Sequence, residues 1–267
     1  MVVNRVAFIN GKGGCGKTTS IFHIAGVLAK AGEKVLVIDF DKQRNTTATL
    51  LANTEVPGVS ALDVMLGKAT VEEATAKALF QSRGNAKPKY CGVDCIGSSV
   101  EMEDEEILRG VDGERFGAEL DAFVEKQGYT WVLVDMPPSN KELNKICFSH
   151  VVDFALIPFS SDVYSVSGYG DIMNTLDRAR DINPNLNVLG IYLSRYMANC
   201  GVDKYIRQTL HEQYGEVFID IQVPLASDVR EAVMFGRPIS YYKEFSKSRR
   251  AYELLVDEMK KRIAAFR

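Results

Sequence analysis

Short apolar runs and helical patterns alternate along most of the chain. Runs rich in β-branched residues predict buried strands over Val3–Ile9, Lys34–Asp39, Val93–Ile96, Trp131–Asp135, Phe154–Pro158 and Val188–Leu193. Apolar residues at helical spacing predict helices over Thr18–Ala31, Ala61–Gly67, Val71–Leu79, Gly117–Lys126, Leu143–Phe148, Gly168–Ile182, Asp203–Tyr214, Val229–Phe235 and Arg249–Phe266. This alternation predicts an α/β fold: a mainly parallel, twisted sheet with helices on both faces.

Length and composition are those of an ordinary globular protein. The 267 residues predict one domain over 1–267, with the polar segment Gln81–Tyr90 as a surface loop. No apolar stretch approaches the roughly 20 residues of a membrane-spanning helix, and the chain starts directly in a strand, so we expect neither a transmembrane segment nor a signal peptide. The five cysteines lack the spacing of a disulfide framework, which predicts reduced thiols and a cytoplasmic protein.

Net charge and cysteine spacing weigh against two kinds of site. The formal charge of −3 does not suggest a surface built throughout for nucleic acid, although it leaves room for a local basic face. Cys91 and Cys95 are not followed by a second Cys/His pair, so a metal site there is not favoured.

A glycine-rich segment follows the first predicted strand and opens the first predicted helix. It satisfies the phosphate-loop pattern G-x-x-x-x-G-K-[ST] in the setting that this pattern requires, with the residues Gly11, Lys12, Gly13, Gly14, Cys15, Gly16, Lys17, Thr18 and Thr19. Glycines let backbone N–H groups turn towards phosphate oxygens, and the helix points its positive end at the same anions. We therefore expect Lys17 to contact the β- and γ-phosphates and the Thr18 hydroxyl to ligate Mg²⁺.

Carboxylates end two of the predicted strands. Asp135 ends Trp131–Asp135, where a parallel strand would deliver a magnesium-shell aspartate beside the phosphate loop. Asp39 ends Lys34–Asp39, and alternation along an extended chain would put Asp41 on the same side. Asp39 and Asp41 suit residues that hold a magnesium-bound water or the attacking water. The alternative is that they lie in a solvated turn.

These motifs resemble those of the ParA/MinD family of deviant Walker A ATPases, and within it the small, Soj-like ParA partition proteins. Lys12–Thr19 matches the family's K-G-G-x-G-K-T-T, including the extra lysine. Val35–Thr47 resembles its VLxIDxDPQGNxT motif, and Asp135–Ser139 resembles its D-x-P-P-S. Further resemblances follow at Ile157-Pro158, at Ser165–Gly168 and at Glu231–Ile239, which is similar to E-A-x-x-x-G-x-P-I.

The resemblance implies a P-loop NTPase that hydrolyses ATP slowly with Mg²⁺. Lys12 would cross the interface of an ATP-bound homodimer and touch the partner's nucleotide, so Lys12, Lys17 and Asp41 are the expected catalytic residues. Asp41 would position the attacking water, while Thr18, Asp39 and Asp135 would hold the metal. The family also implies nonspecific DNA binding with nucleoid association, and a ParB-like or cargo adaptor protein that stimulates hydrolysis.

Departures from the family pattern affect the DNA-binding expectation most. Lys42 stands where the family usually has proline and Arg44 where it has glycine, and Leu225 and Asp228 occupy places where partition proteins often carry arginines. Basic residues nearby form either a phosphate-binding patch or ordinary solvated helix surface: Arg195, Lys204, Arg207, Arg230, Arg237, Lys243, Lys247, Arg249 and Arg250.

Other functions remain as alternatives. The pattern of Arg249–Arg267 fits a basic amphipathic helix that lies on a membrane, as in a MinD-like positioning ATPase, but it also fits a helix packed on the core, which we favour. A cluster-carrying protein like the nitrogenase iron protein would need cysteines soon after Asp135. A GTPase is disfavoured because Asn144-Lys145-Ile146-Cys147 lacks the aspartate of an N-K-x-D signature.

Overall fold

An eight-stranded sheet forms the centre of the protein. The computed structural model describes residues 2–81, 87–160, 177 and 179–267. The strands are β1 Asn4–Phe8, β2 Val35–Asp39, β3 Thr75–Phe80, β4 Lys89–Ile96, β5 Trp131–Asp135, β6 Phe154–Ser160, β7 Asn187–Tyr196 and β8 Phe218–Pro224. Their order is β3-β4-β2-β5-β1-β6-β7-β8, and β3 with β4 forms the antiparallel pair of an otherwise parallel sheet.

Helices cover both faces of this sheet, as the alternation predicts. In chain order they are α1 Lys17–Lys30, α2 Asn45–Leu50, α3 Ala61–Met65, α4 Val71–Ala74, α5 Glu105–Arg109, α6 Gly113–Gln127, α7 Lys141–His150, α8 Gly201–Tyr214, α9 Ser227–Met234, α10 Ile239–Tyr242 and α11 Lys247–Phe266. Apolar residues of α1, α10 and α11 form a core on one face, and those of α3, α6, α7 and α8 form a core on the other. The predicted α/β class is confirmed.

The predicted helix Val71–Leu79 is wrong beyond its first turn. A capping box on Thr70 starts α4, which ends at Ala74, and the chain then becomes β3. Ala76, Ala78 and Phe80 are buried while Lys77 is exposed, which is the two-residue period of a strand rather than a helical one. The same hairpin extends β4 back to Lys89, inside the segment predicted as a loop, because the two strands pair there.

Two other parts of the chain differ from the sequence prediction or lie outside the description. β8 was not predicted, because Asp220 and Gln222 interrupt its apolar residues. Most of the predicted helix Gly168–Ile182, and the family resemblance at Ser165–Gly168, fall outside the described residues; residues 179–182 are helical.

The strand register decides where the candidate site lies. β1, β2 and β5 are central, and Asp39 and Asp135 are register partners at the carboxyl ends of β2 and β5. Phe8, at the end of β1, is the partner of Asp135 on the other side, so the loop after β1 starts beside Asp135 and one strand away from Asp39. Ligands bind at this edge of parallel α/β sheets. None of the described helices has the length and apolar character needed to cross a membrane.

Candidate nucleotide site

The phosphate loop is held at its start by one asparagine. Asn10 Oδ1 accepts the N–H of Lys12 at 2.8 Å, and Asn10 Nδ2 donates to the carbonyl of Pro158 at 2.8 Å. Gly14 and Gly16 have φ angles of 75° and 91°, in the left-handed region that favours glycine. The loop then enters α1 directly at Lys17, so the amino end of a helix faces the loop's interior.

The lysine and hydroxyl side chains of the loop differ in their burial. Lys17 is buried, and its Nζ donates to the carbonyl of Asn10 at 3.3 Å across the mouth of the loop. Lys12 and Thr19 are half-buried. Cys15 is buried, and burial raises the pKa of its thiol, so it stays protonated near neutral pH. Cys15 therefore contributes backbone groups rather than a charged side chain.

Asp135 is the carboxylate most suited to a metal ion. Its Oδ2 accepts the hydroxyls of Thr18 and Thr46, each at 2.6 Å. Its Oδ1 is buried and finds no hydrogen-bond partner among the described residues. A buried, unpartnered carboxylate oxygen beside a threonine hydroxyl at a phosphate loop matches the oxygen donors that Mg²⁺ takes. The donor set therefore fits magnesium.

Asp39 has a different environment, although it lies beside Asp135. Its Oδ2 accepts the N–H of Thr47 at 2.8 Å and the Thr47 hydroxyl at 2.7 Å, and its Oδ1 accepts the N–H of Asp41 at 3.0 Å. Protein donors thus occupy both oxygens and tie the end of β2 to α2. Burial and the neighbouring Asp135 raise the pKa of Asp39, and burial raises the pKa of Asp135 as well.

Asp41 lies on the rim of a cavity that continues from the phosphate loop. Its Oδ1 accepts the N–H of Gln43 at 2.8 Å. The cavity has a volume of about 470 Å³, and its lining includes Gly13 to Ser20, Asp41 and Pro138. The lining also includes a group of apolar residues, called the far wall, which are Val223, Pro224, Leu225, Val229 and Val233. Arg230 lines the cavity beside them.

Several residues of this site were missed by sequence reasoning. Thr46 and Thr47 lie within the second motif, so the motif itself was a signal, but the motif does not say which carboxylate each hydroxyl contacts. Ser194 and Arg195 of β7 contact the phosphate loop and line the cavity. Ser194 was not singled out, and Arg195 was named only as part of the basic patch, because no local pattern links residues so far along the chain to the loop.

The residues of the predicted basic patch differ in whether they already have partners within the protein. Arg195 contacts the loop, Arg207 pairs with Asp220 at 2.5 Å, and Arg237 donates to Gln81. Arg249 pairs with Glu253 at 2.7 Å, while Lys243 and Arg250 make long pairs of 3.9 and 3.7 Å. Lys204, Arg230 and Lys247 form no ion pair within the part of the chain that is described. Arg230, Lys243, Lys247 and Arg250 are close in sequence around α9–α11 and remain the strongest candidates for phosphate contacts.

The apolar stripe of α11 is packed on the core, as favoured above. Tyr252, Leu255, Val256, Met259 and Ile263 are all buried against α1 and the sheet. Phe266 is half exposed, with its ring centroid 6.1 Å from that of Phe154. The stripe is therefore not available as a membrane-binding face.

The chain is similar to known proteins along most of its length. The AAA domain family AAA_31 matches residues 3–188. The chromosome partitioning protein ParA of Caulobacter vibrioides is 28% identical over 258 residues, which cover 95% of this chain and 92% of that protein. The structure of Pyrococcus furiosus cell division ATPase MinD has a TM-score of 0.71 at 24% identity, covering 97% of this chain and 98% of that one.

A third similar structure comes from an enzyme of another kind. Cobyrinic acid a,c-diamide synthase from Mycobacterium smegmatis, solved with a bound ATP analog and magnesium, has a TM-score of 0.77 at 19% identity. It covers 100% of this chain, and this chain covers 98% of it. At that identity the likeness concerns the fold. The family match spans more than half of the chain, which therefore belongs to the AAA domain family AAA_31 and to the ParA/MinD family of P-loop proteins.

Proposed function

We propose that this protein is an ATP-dependent switch of the ParA type that segregates DNA or positions a cargo. The observation that carries the proposal is Asp135, whose buried Oδ1 has no partner in the described structure while Thr18 and Thr46 hold its Oδ2. Thr18 and Asp135 would hold magnesium, with Asp39 supporting the site by fixing the end of β2. When bound, Mg²⁺ would supply Lewis-acid chemistry that neutralises negative charge on the phosphates.

Different residues around the phosphate loop would bind the triphosphate and orient the attacking water. N–H groups of Gly13–Thr19 would surround the phosphates, and Lys17, already buried at the mouth of the loop, would exchange its Asn10 contact for phosphate oxygens. Asp41 on the cavity rim would orient the attacking water. The solved relatives include proteins crystallised with ATP analog, ADP and magnesium, which supports ATP as the ligand.

Lys12 would make the dimer depend on ATP. Two triphosphates at one interface repel each other strongly, and a lysine from each subunit that reaches across neutralises part of this charge. The backbone of Lys12 is fixed by Asn10, which gives the residue a defined starting point at the tip of the loop. ATP would thus join two copies of the chain, and slow hydrolysis would separate them.

The ATP-bound dimer would bind DNA without reading its sequence. Arg230, Lys243, Lys247 and Arg250 around α9–α11 supply cations for phosphate contacts. A ParB-like or cargo adaptor protein would stimulate hydrolysis and release the dimer. We place this switch in the cytoplasm, on nucleoid DNA.

The Lys12→Ala variant tests the switch. We expect it to bind a nucleotide in the monomer with nearly normal affinity, yet to lose ATP-induced dimerisation and ATPase activity, because the lysine acts across the interface. Light scattering after gel filtration with a non-hydrolysable ATP analogue reports the dimer, and phosphate release reports hydrolysis. Lys126→Ala is the matched control, since Lys126 is exposed and pairs with Glu72 at 3.2 Å on α4, away from the cavity.

DNA binding is checked with the same proteins. A shift assay with ATP, ADP and no nucleotide should show binding with ATP and little with the others. Normal dimerisation and turnover by Lys12→Ala would disprove the face-to-face dimer, and equal DNA binding in all three conditions would disprove the switch.

A further inference from the structure

Two consecutive residues at the end of β7 hold two consecutive carbonyls of the phosphate loop. The Ser194 hydroxyl donates to the carbonyl of Cys15 at 2.5 Å, and Arg195 Nη1 donates to the carbonyl of Gly14 at 2.8 Å. The phosphate loop also packs closely against β7 at Gly16, where an added Cβ would lie 3.4 Å from the Ser194 side chain. β7 therefore fixes the side of the loop that faces it.

Fixing a carbonyl also fixes the N–H of the next residue. In a planar trans peptide the C=O and the following N–H point in opposite directions. The carbonyls of Gly14 and Cys15 point at β7, so the N–H groups of Cys15 and Gly16 point away from it. Neither N–H donates to a backbone carbonyl among the residues that the structure describes. Two oriented donors are thus left for a ligand inside the loop.

The backbone of Arg195 is in the left-handed region, which residues other than glycine rarely adopt. Among the described residues, Arg44 and Arg195 are the non-glycine residues with positive φ, at 57° and 56°. This region costs an ordinary residue about 1–2 kcal/mol, and such positions concentrate at functional sites. At Arg195 the positive φ occurs in the same residue whose guanidinium contacts the Gly14 carbonyl of the phosphate loop.

We propose that Arg195 is a positioning residue for the nucleotide. By holding the Gly14 carbonyl, with Ser194 holding the next one, it keeps the N–H groups of Cys15 and Gly16 turned towards the phosphates that ADP and ATP share. It also places a cation beside the loop without contacting the γ-phosphate. The proposal rests on the proposed function, because it assumes that the loop binds a nucleotide.

Calorimetry with ADP and with a non-hydrolysable ATP analogue, each with Mg²⁺, tests the role. Arg195→Met removes the donors but keeps the length of the side chain. Arg195→Gly also removes the donors, and glycine adopts the positive φ without steric cost. Both should bind ADP and the ATP analogue about tenfold more weakly than the wild type, the size expected for one lost charge-assisted hydrogen bond. In turnover assays, KM should rise while kcat changes little, because the interaction is the same in the ground and transition states.

A nucleotide-free measurement separates this proposal from the proposed function. Hydrogen exchange of the peptide that covers the phosphate loop, followed by mass spectrometry, should be faster in both Arg195 variants than in the wild type. Arg109→Met is the control: Arg109 is an exposed arginine on α5, outside the cavity lining, and it should leave exchange and affinity unchanged.

Each result has a defined meaning. If the wild type binds no nucleotide, the proposed function fails, and the exchange data alone then decide whether Arg195 orders the loop. If the wild type binds but the variants bind equally well, the positioning role is wrong. A loss of affinity confined to the ATP analogue would mean direct contact with the γ-phosphate and would also overturn the positioning role. Full affinity in Arg195→Gly would overturn it too, because the weaker binding of Arg195→Met would then come from the backbone conformation.

Discussion

The phosphate end of the cavity is polar and held by hydrogen bonds, whereas the far wall is largely apolar and held by packing. Beside the phosphate loop, and outside the cavity lining itself, Asp39 and Asp135 are fully buried, with three hydroxyl donors and two backbone donors directed at them. The far wall presents Val223, Leu225 and Val229, of which Leu225 is 40% exposed. Removing a charge from a buried polar cluster costs more than trimming an apolar surface, so substitutions at the two ends should differ in size and in salt dependence.

The largest effect is expected at Lys17. Lys17→Ala removes the buried cation of the phosphate end and should weaken nucleotide binding by at least about a hundredfold, roughly 3 kcal/mol, as for the loss of a strong charge-assisted contact. Calorimetry with ADP and Mg²⁺ measures it, with Lys126→Ala as the control. An affinity within a few-fold of the wild type would mean that the loop does not bind phosphates through this lysine.

The two aspartates should respond differently to the same substitution. Asp135→Asn should lower magnesium-dependent nucleotide affinity by about thirtyfold, roughly 2 kcal/mol, because it removes the negative charge at the metal. Asp39→Asn should instead lower the free energy of unfolding by about 1–2 kcal/mol, because an amide NH₂ then faces a donor at Thr47 or Asp41. Nucleotide titrations with and without Mg²⁺, together with urea unfolding, compare the two. A larger metal effect in Asp39→Asn would reverse these assignments.

His23 links the phosphate end to the C-terminal helices and should make stability depend on pH. It lies on α1, its Nδ1 accepts the N–H of Ile239, and its Nε2 is buried with no partner among the described residues. Burial lowers the pKa of His23 from 6.5 to about 3. The unfolded chain therefore binds a proton below pH 6.5 that the folded chain does not, and stability is lost as the pH falls.

The expected loss is about 1.6 kcal/mol between pH 6.5 and pH 5, because the slope rises from half its value at pH 6.5 to about 1.4 kcal/mol per pH unit below it. Urea unfolding of the wild type and of His23→Gln at both pH values measures it. The glutamine keeps an acceptor for Ile239 but does not titrate, so its stability should fall less over this range. Equal pH dependence in the two proteins would assign the effect to other groups.

The smallest effect is expected at the far wall. Val229→Ala trims a largely buried side chain and should weaken binding of ADP and of an ATP analogue only a few-fold, about 1 kcal/mol or less. Because the change is apolar, the loss should be similar at low and high salt, whereas that of Lys17→Ala should shrink as salt rises. Calorimetry at two ionic strengths checks both. A strongly salt-dependent loss in Val229→Ala would contradict the contrast between the two ends.

The two ends also differ in how far they were predictable. At the phosphate end the strand, loop and helix are continuous along the chain, so Gly11–Thr19 and the carboxylates at the ends of β2 and β5 could be placed from the pattern alone. The pattern did not distinguish Asp39 from Asp135, since that depends on which hydroxyl of α2 each carboxylate meets. The far wall and the β7 contacts were not predicted. Strands were predicted from continuous apolar runs, whereas β8 alternates polar and apolar residues, which is the pattern of a half-buried strand.

The sequence by itself determined the α/β class, the phosphate loop and the strand ends that carry the acids, because these are local: period, glycine spacing and residue type act over a few positions. Tertiary structure decided what is not local. The strand order brings Ser194 and Arg195 onto a loop that is 179 and 181 residues away along the chain. It also buries the stripe of α11, for which the sequence pattern favoured the core but fitted a membrane surface as well. Such contacts depend on which surfaces remain to be covered once the sheet has formed, and a linear pattern does not contain that information.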